Sequence, residues 1–441
     1  MQMFEGLPAE PFAERSRYVG STDAGHKLIG ICVGRQCDEL VGSLSTVSGN
    51  KLAATYQNVV TERLKIPESL RKIYANGSSI AQPSEWEAGS EYSQYSFFVR
   101  EISVLQADLI RKLCRTAKVP VDDVLAVGLL GPGLWSGSGI GTRSYLELCD
   151  PSQIAENCGC NVVGNFAERD LAAGGLGGPI NAVPQWLLLG KPEKTRVLLD
   201  VGRSVRLTLL PGGRTEEHLN SLLAFDVGPG TALLDRLSLR LSEGRIPSDP
   251  GGTLAVQGTK IQELLDRWLA EPYFHEAPPR WQPCGVCADE ALESTVRMAI
   301  DAGWSIRDLL CTATHFIARC IALAVHNYIP GGVNRIDELL VSGVGQSNGM
   351  LLAEIRFQLE QRPLTRLIDL GWSQGQLEAA STAVLAGMHL DRISASRPAI
   401  SGAHAPRVVG QLTPGSPARW GRLIQYMHRM APTHLSLRNA I

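Results

Sequence analysis

The stretch RVLLDVGRSVRLTLLPGG, residues 196–213, reads as two apolar strands joined at Gly202 and closed by a turn at Pro211-Gly212-Gly213. Apolar β-rich runs bounded by glycine and proline are the mark of a hairpin. SLLAFDVG, residues 221–228, supplies a third strand. After the turn Gly228-Pro229-Gly230, Thr231–Leu241 has helical spacing. The same order occurs near the start of the chain. HKLIGIC (26–32) is a strand, VGRQCDE a glycine-containing turn, and ELVGSLSTVSG the returning strand. This repeated grammar points to an internal duplication, although the residues of the two halves are too different to establish one.

Residues 99–118 predict a helix leading into a buried strand at 124–131. A further helix is expected within 150–160, then a strand at VVGNF. Helices are also expected at 259–270, 289–301 and 306–327. Residues 336–359 read as strand, glycine-rich turn and helix, which brings backbone N–H groups and a helix N-terminus to a pocket. RLIDLGW (366–372) predicts another strand, and 375–390 an amphipathic, alanine-rich helix. The expected organisation is a leader at 1–25, an N-terminal lobe at 26–150 and a second lobe at 151–393, its last helix packing back. Residues 394–441, rich in Pro, Gly and Ser, read as a surface tail. The fold class is α/β, two lobes around a central cleft.

Composition narrows the function. The 441 residues are 44% hydrophobic and 20% charged, with a net charge of −2 and no basic block, so nothing selects a nucleic acid. No run approaches the roughly 18 continuous apolar residues of a membrane span. The first residues lack the basic and apolar regions of a signal peptide, which predicts a cytoplasmic protein. Ten scattered cysteines do not form a disulfide framework. Cys158-Gly159-Cys160 and Cys284-x-x-Cys287 could together supply four zinc ligands, but neither has knuckle context. GVGQSNG (343–349) lacks dinucleotide-fingerprint spacing, and the chain has no GxxxxGK[ST] loop.

Several ordered blocks resemble the anhydro-N-acetylmuramic acid kinase family, within the actin/hexokinase/Hsp70-like superfamily. The most specific is NFAERDLAAGGLGGPI (165–180), which is similar to the family's DFRRRD-x-A-x-GG-x-GAPL. Asp226-Val227-Gly228-Pro229-Gly230 looks like its D-x-GPGN segment, and AEPYFHEAPPRW (270–281) like DPYF-x-x-x-PPK. VSGVGQSNGML (341–351) looks like its adenosine loop, CGGG-x-x-N-x-x-L. The first phosphate loop falls at Val33-Gly34-Arg35-Gln36-Cys37-Asp38-Glu39, and the second phosphate segment at Asp200-Val201-Gly202-Arg203.

The resemblance implies an ATP- and Mg²⁺-dependent kinase that opens and 6-phosphorylates an anhydro amino sugar, working as a homodimer. It implies Asp226 as the base that activates water. Gly34, Arg35, Asp38, Gly202, Gly343, Gly345 and Asn348 would hold the nucleotide, with Asp38 also near the metal. Asp170, Gly174, Gly175, Gly177, Gly178 and Pro179 would form the sugar side.

The sequence also departs from the family. Val33, Arg35 and Gln36 replace the small and hydroxyl residues of the first phosphate loop, and Arg203 replaces a glycine. Leu130-Gly131-Pro132-Gly133 stands in place of HGQT, and His315 in place of a helix glutamate. Both aspartates of SGDD-x-EA are gone, while Glu378 remains. These losses leave open a second expectation, a relative that keeps the sugar pocket and has lost phosphoryl transfer. Each motif residue also has a plainer role: strand-end aspartates tie glycine turns, and Asn348 can cap a helix.

Overall fold

The computed structural model describes residues 25–34, 37–78, 90–136, 143–281, 289–373 and 375–430. Its strands are β1 (His26–Val33), β2 (Glu39–Ser48), β3 (Thr55–Lys65), β4 (Val124–Leu130), β5 (Gly133–Ser136), β6 (Ser144–Glu147), β7 (Val162–Gly164), β8 (Arg196–Val201), β9 (Ser204–Leu210), β10 (Leu223–Pro229), β11 (Glu338–Ser342), β12 (Leu364–Arg366) and β13 (Gln411–Thr413). Two larger sheets form, ordered β13-β7-β4-β1-β2-β3 and β10-β9-β8-β11-β12.

The duplication expected from the repeated hairpins is present in the topology. In the first sheet β1 pairs antiparallel with β2 and parallel with β4, β2 pairs antiparallel with β3, and β4 pairs parallel with β7. In the second, β8 pairs antiparallel with β9 and parallel with β11, β9 pairs antiparallel with β10, and β11 pairs parallel with β12. Each lobe therefore repeats one plan: an antiparallel three-strand meander whose first strand also starts a parallel run.

The Gln376–Asp391 helix joins the lobes. It is not amphipathic as expected, because it is buried on nearly every face, from Leu377 through Leu390. A helix apolar all round belongs in an interior. It rests directly on β1 and β4. A Cβ on Gly30 would stand 2.0 Å from the Ala379 carbonyl oxygen, and one on Gly128 would stand 2.1 Å from that of Thr382. Only glycine allows backbone to meet backbone this closely. Val384, Leu385 and Ala386 share a cluster with Leu198 and Leu340 of the second sheet.

Three other expectations change. RLIDLGW is a strand only at its first residue. Leu367–Leu370 is a 3₁₀ turn, in which the Ile368 N–H bonds the Gln346 side chain instead of a neighbouring strand. Strand VVGNF stops at Gly164, where Asn165 turns left-handed (φ 56°) into the Phe166–Ala172 helix. Residues 394–430 are folded and do not form a surface tail. β13 edges the first sheet against β7, and the Pro417–Met430 helix buries Leu423 and Tyr426. The Tyr426 hydroxyl donates to Asp391 at 2.8 Å. Helix Ile306–Tyr328 is long and apolar enough to cross a membrane, yet 72% of its apolar window is buried in the core of the second lobe.

Candidate active site

The turns of the two hairpins face one cleft of about 550 Å³. Gly34, Asp38 and Glu39 line it from the first lobe. Gly202, Arg203, Thr231 and Asp235 line it from the second. Ser342–Asn348 closes one end, and Trp372, Leu377 and Glu378 close another. Six of the seven residues expected at the nucleotide are thus brought together: Gly34, Asp38, Gly202, Gly343, Gly345 and Asn348. Arg35 lies outside the described residues.

The Gly343–Asn348 loop is closely seated on the second sheet. Gly343 adopts φ +79°, and a Cβ there would stand 2.4 Å from the Val201 carbonyl oxygen, so the loop lies directly on β8. Asn348 accepts the Leu351 N–H at 3.0 Å, capping the Gly349–Gln358 helix. These residues fit a nucleoside.

The phosphate end fits less well. Among the described residues, the Gly34 N–H already donates to Glu39 O at 2.8 Å and the Gly202 N–H to Ser204 O at 3.0 Å. The Thr231 N–H and hydroxyl both point to Gly202 O, at 2.8 and 3.2 Å. Asp38, Glu39, Asp235, Asp249 and Glu378 line the cleft against Arg203 alone among its described cations. Burial pushes the Asp235 carboxyl up while Arg203 pulls it down, so that arginine faces a carboxylate already. Asp249 is a cap, accepting the Leu254 and Ala255 N–H groups at 2.8 and 2.9 Å. A polyphosphate would meet more negative than positive charge here.

Asp226 lies on β10, 1% exposed and outside the cleft lining. Its Oδ1 is 3.4 Å from Arg206 Nε, and its N–H donates to Arg280 O at 2.9 Å. The Arg206 guanidinium lies 4.1 Å from the Trp281 ring. Arg143 donates to Trp281 O at 2.5 Å and to Leu176 O at 3.2 Å, and stacks 5.2 Å from Trp135. This wall of arginine and indole connects Asp226 to the sugar-side block: Gly177 packs against Trp135, and Gly178 against Trp281.

Two buried atoms of this wall, Arg143 Nε and Trp281 Nε1, have no hydrogen-bond partner among the described residues. Buried donors in folded proteins are nearly always paired, so two in one wall mark a place for a polar ligand. Sequence reasoning missed Trp135, Arg143, Arg206 and Trp281. The available signal was an arginine in the apolar strand SVRLTLL and a tryptophan closing AEPYFHEAPPRW.

The sugar-side residues divide. Asp170 is fully buried and engaged internally, accepting the Gly177 N–H at 2.8 Å and the Ser401 hydroxyl at 2.6 Å. Burial raises its carboxyl. Gly174 and Gly175 pack on His404 and Asp170, while Gly178-Pro179, a cis peptide, adjoins Trp281. His315 bonds Glu354 at 3.0 Å, away from the cleft lining. Cys284 and Cys287 lie outside the described residues.

Two α/β lobes of one topology, with paired hairpin turns facing a shared cleft, define the actin/hexokinase-like class of two-lobed ATPase folds. Within that class, the chain belongs to the anhydro-N-acetylmuramic acid kinase family, whose profile matches residues 26–415. The anhydro-N-acetylmuramic acid kinase of Cupriavidus metallidurans is 30% identical over 400 residues, covering 89% of this chain and 99% of that protein. The kinase of the same name from Acaryochloris marina is 27% identical over 388 residues, covering 87% and 99%. Among solved structures, the ROK hexokinase of Thermus thermophilus aligns with 81% of this chain and 97% of its own, at 13% identity and a TM-score of 0.34.

Proposed function

We propose that the protein acts on a 1,6-anhydro amino sugar of the type its relatives are named for, opening the bridge with water and phosphorylating the freed 6-oxygen. One observation carries this reading. Asp226 and the cleft residues Thr231 and Asp235 belong to a single strand, turn and helix, so a buried carboxylate and a phosphate-side turn are rigidly linked. Asp226 is the base that takes a proton from the attacking water. Trp281 and Trp135 offer faces to the sugar ring, and the unpaired Arg143 and Trp281 donors face its oxygens. ATP with Mg²⁺ would supply the phosphoryl group; the Gly343–Asn348 loop would hold the adenosine, and Asp38 would stand on the cation side. Two copies of the chain assemble, as the resemblance implies.

A second reading is favoured by a specific contact. Arg206 occupies the approach to Asp226, and the N–H groups of the Gly34 and Gly202 turns are already bonded. In this reading the protein binds the sugar and transfers nothing.

The test is incubation of the full chain with 1,6-anhydro-N-acetylmuramic acid and Mg-ATP, with mass spectrometry for the phosphorylated sugar and calorimetry for sugar binding. Product from the native chain and none from Asp226→Asn supports the kinase. Sugar binding without product supports the second reading. If the sugar fails to bind at millimolar concentration, both readings fall.

A further inference from the structure

Arg206 and Asp226 face each other because the strands place them so. They are direct partners across β9 and β10, and the register shifts just beyond them, between Asp226 and Gly228. Side chains directly opposite on neighbouring strands share one face of a sheet. β10 is the edge strand, and its Asp226 N–H is donated outward to Arg280 O at 2.9 Å. That bond sets the next residue, Trp281, beside the pair.

Trp281 is covered twice. A Cβ on Gly178 would stand 2.6 Å from Cε2, 2.8 Å from Nε1 and 2.9 Å from Cζ2, so glycine backbone lies against the indole. The Arg206 guanidinium lies over the ring as well, 4.1 Å from its centroid. The two covers differ in kind. Gly178 is main chain and has nothing to rotate away. Arg206 ends a long side chain that is 19% exposed, against 2% for Asp226, so the cation has a route to solvent and the carboxylate has none. Its hold on Asp226 is a 3.4 Å contact, longer than the about 2.7–2.9 Å of a tight charge-assisted bond. Arg143 is buried and anchored to the Trp281 and Leu176 carbonyls, at 2.5 and 3.2 Å. The wall thus combines a fixed donor with a cation able to swing.

A sugar ring packs its C–H groups on an indole face, and the face of Trp281 that can be cleared is the one under Arg206. Resting on the reading of this wall as the sugar pocket, we propose that Arg206 is a displaceable cover: the sugar takes the Trp281 face from its guanidinium, and the same displacement bares Asp226 to water. The base is shielded until a sugar is seated, which orders the two events. The Trp281 Nε1 and Arg143 Nε donors stay in place and meet the ring oxygens. The cover weakens binding, because the sugar competes with the pocket's own side chain. Apparent affinity is lowered by the fraction of molecules in which the face is open. A cation–π contact at a partly exposed site makes that factor about three- to tenfold.

The full chain, carrying ¹⁵N-labelled arginine, is titrated with 1,6-anhydro-N-acetylmuramic acid and followed by nuclear magnetic resonance. The Arg206 Nε–Hε signal, assigned by its loss in Arg206→Lys, lies upfield in the Trp281 ring current. It moves to the position of a solvated arginine as the sugar saturates. By calorimetry, Arg206→Gln binds the sugar about three- to tenfold more tightly than the native chain. Arg206→Lys, which keeps a cation beside Asp226 and lacks the planar group, also gains affinity. Replacing a residue with only a structural role would weaken binding instead. Sugar binding with the Arg206 signal unmoved would overturn the cover and leave the sugar pocket standing. So would an Arg206→Gln chain that is folded by circular dichroism and binds no more tightly than the native one. Failure of the sugar to bind the native chain and both variants at millimolar concentration would overturn the pocket reading, and the cover with it.

Discussion

Arg206 Nε stands 3.4 Å from Asp226 Oδ1 while its guanidinium lies over Trp281, 4.1 Å from the ring centroid. One side chain thus connects the proposed base to the wall of the proposed sugar pocket. Removing the carboxylate and removing the arginine test different things. Asp226→Asn keeps the shape and abolishes proton transfer, and phosphorylation falls at least about a hundredfold. Arg206→Gln uncovers Asp226, and sugar turnover rises or, in a non-catalytic relative, stays at zero while sugar affinity changes. Arg206→Gln also costs about 1–3 kcal/mol in urea unfolding, because a buried acceptor loses a donor.

The charge of the cleft makes a prediction about nucleotides. Among the described residues five carboxylates line the cleft against Arg203, with Glu39 paired to an arginine outside the lining, Arg63, so adenosine binds at least as tightly as ATP when Mg²⁺ is chelated. Calorimetric titration of both ligands in EDTA checks this, and tenfold tighter ATP would refute it. Adding Mg²⁺ improves ATP affinity and leaves adenosine unchanged.

A buried glutamate beside a half-buried one gives the protein a pH signature. Glu147 accepts the Gly131 and Asn165 N–H groups at 2.6 and 2.9 Å, and the Glu168 side chain accepts the Glu147 N–H at 3.2 Å. Burial and then the Glu168 charge push the Glu147 carboxyl up to about 7 from 4.5. The folded state therefore holds this proton more tightly than the unfolded chain. The stability it lends is fully present below about 4.5 and is lost as pH rises through about 7, on the order of 3 kcal/mol. Denaturation midpoints followed across this window should fall with rising pH, and Glu147→Gln should flatten the slope.

The folded C-terminal segment is open to a truncation test. Ending the chain at Ser394 removes β13, exposes the β7 edge and uncovers the surfaces that Leu423 and Tyr426 cover. Losing these two side chains alone costs on the order of 5 kcal/mol. The truncated chain should be aggregated or markedly less stable by thermal melt and size-exclusion chromatography. A monodisperse product with an unchanged melting temperature would refute this.

Much of the fold was readable because each lobe announces itself locally. Apolar runs broken by glycine give the hairpins, and Gly230 before Thr231–Leu241 marks the start of a helix found at the expected bounds. The errors have physical causes. The helix at 375–390 is buried all round instead of amphipathic, because its small residues, Ser381 and Thr382 included, fit inside the packed interior. The Thr382 hydroxyl bonds Glu378 O in its own helix at 2.9 Å. Residues after 394 looked tail-like because proline and glycine are frequent there, which hid the apolar stripe formed by Leu423 and Tyr426. The turns that line the cleft could be marked through the family resemblance, since each is a short motif contiguous in sequence. The arginine–tryptophan wall could not be, because Trp135, Arg143, Arg206 and Trp281 meet only through space.

The fit of the Gln376–Asp391 helix onto β1 and β4 also bears on how the lobes can move. Where Ala379 and Thr382 carbonyls touch glycine backbone there is no side chain to re-rotamerise, so that interface behaves as a keyed joint. Toward the second sheet the helix shares a side-chain cluster with Leu198 and Leu340, a softer kind of join than backbone on backbone. Leu377 and Glu378, at the start of this helix, are thereby fixed to the first sheet, so that any change in cleft width would have to arise on the second-lobe side of the helix. A molecule that touches both Glu378 and Asn348 acts as a caliper, its length setting the gap between the lobes.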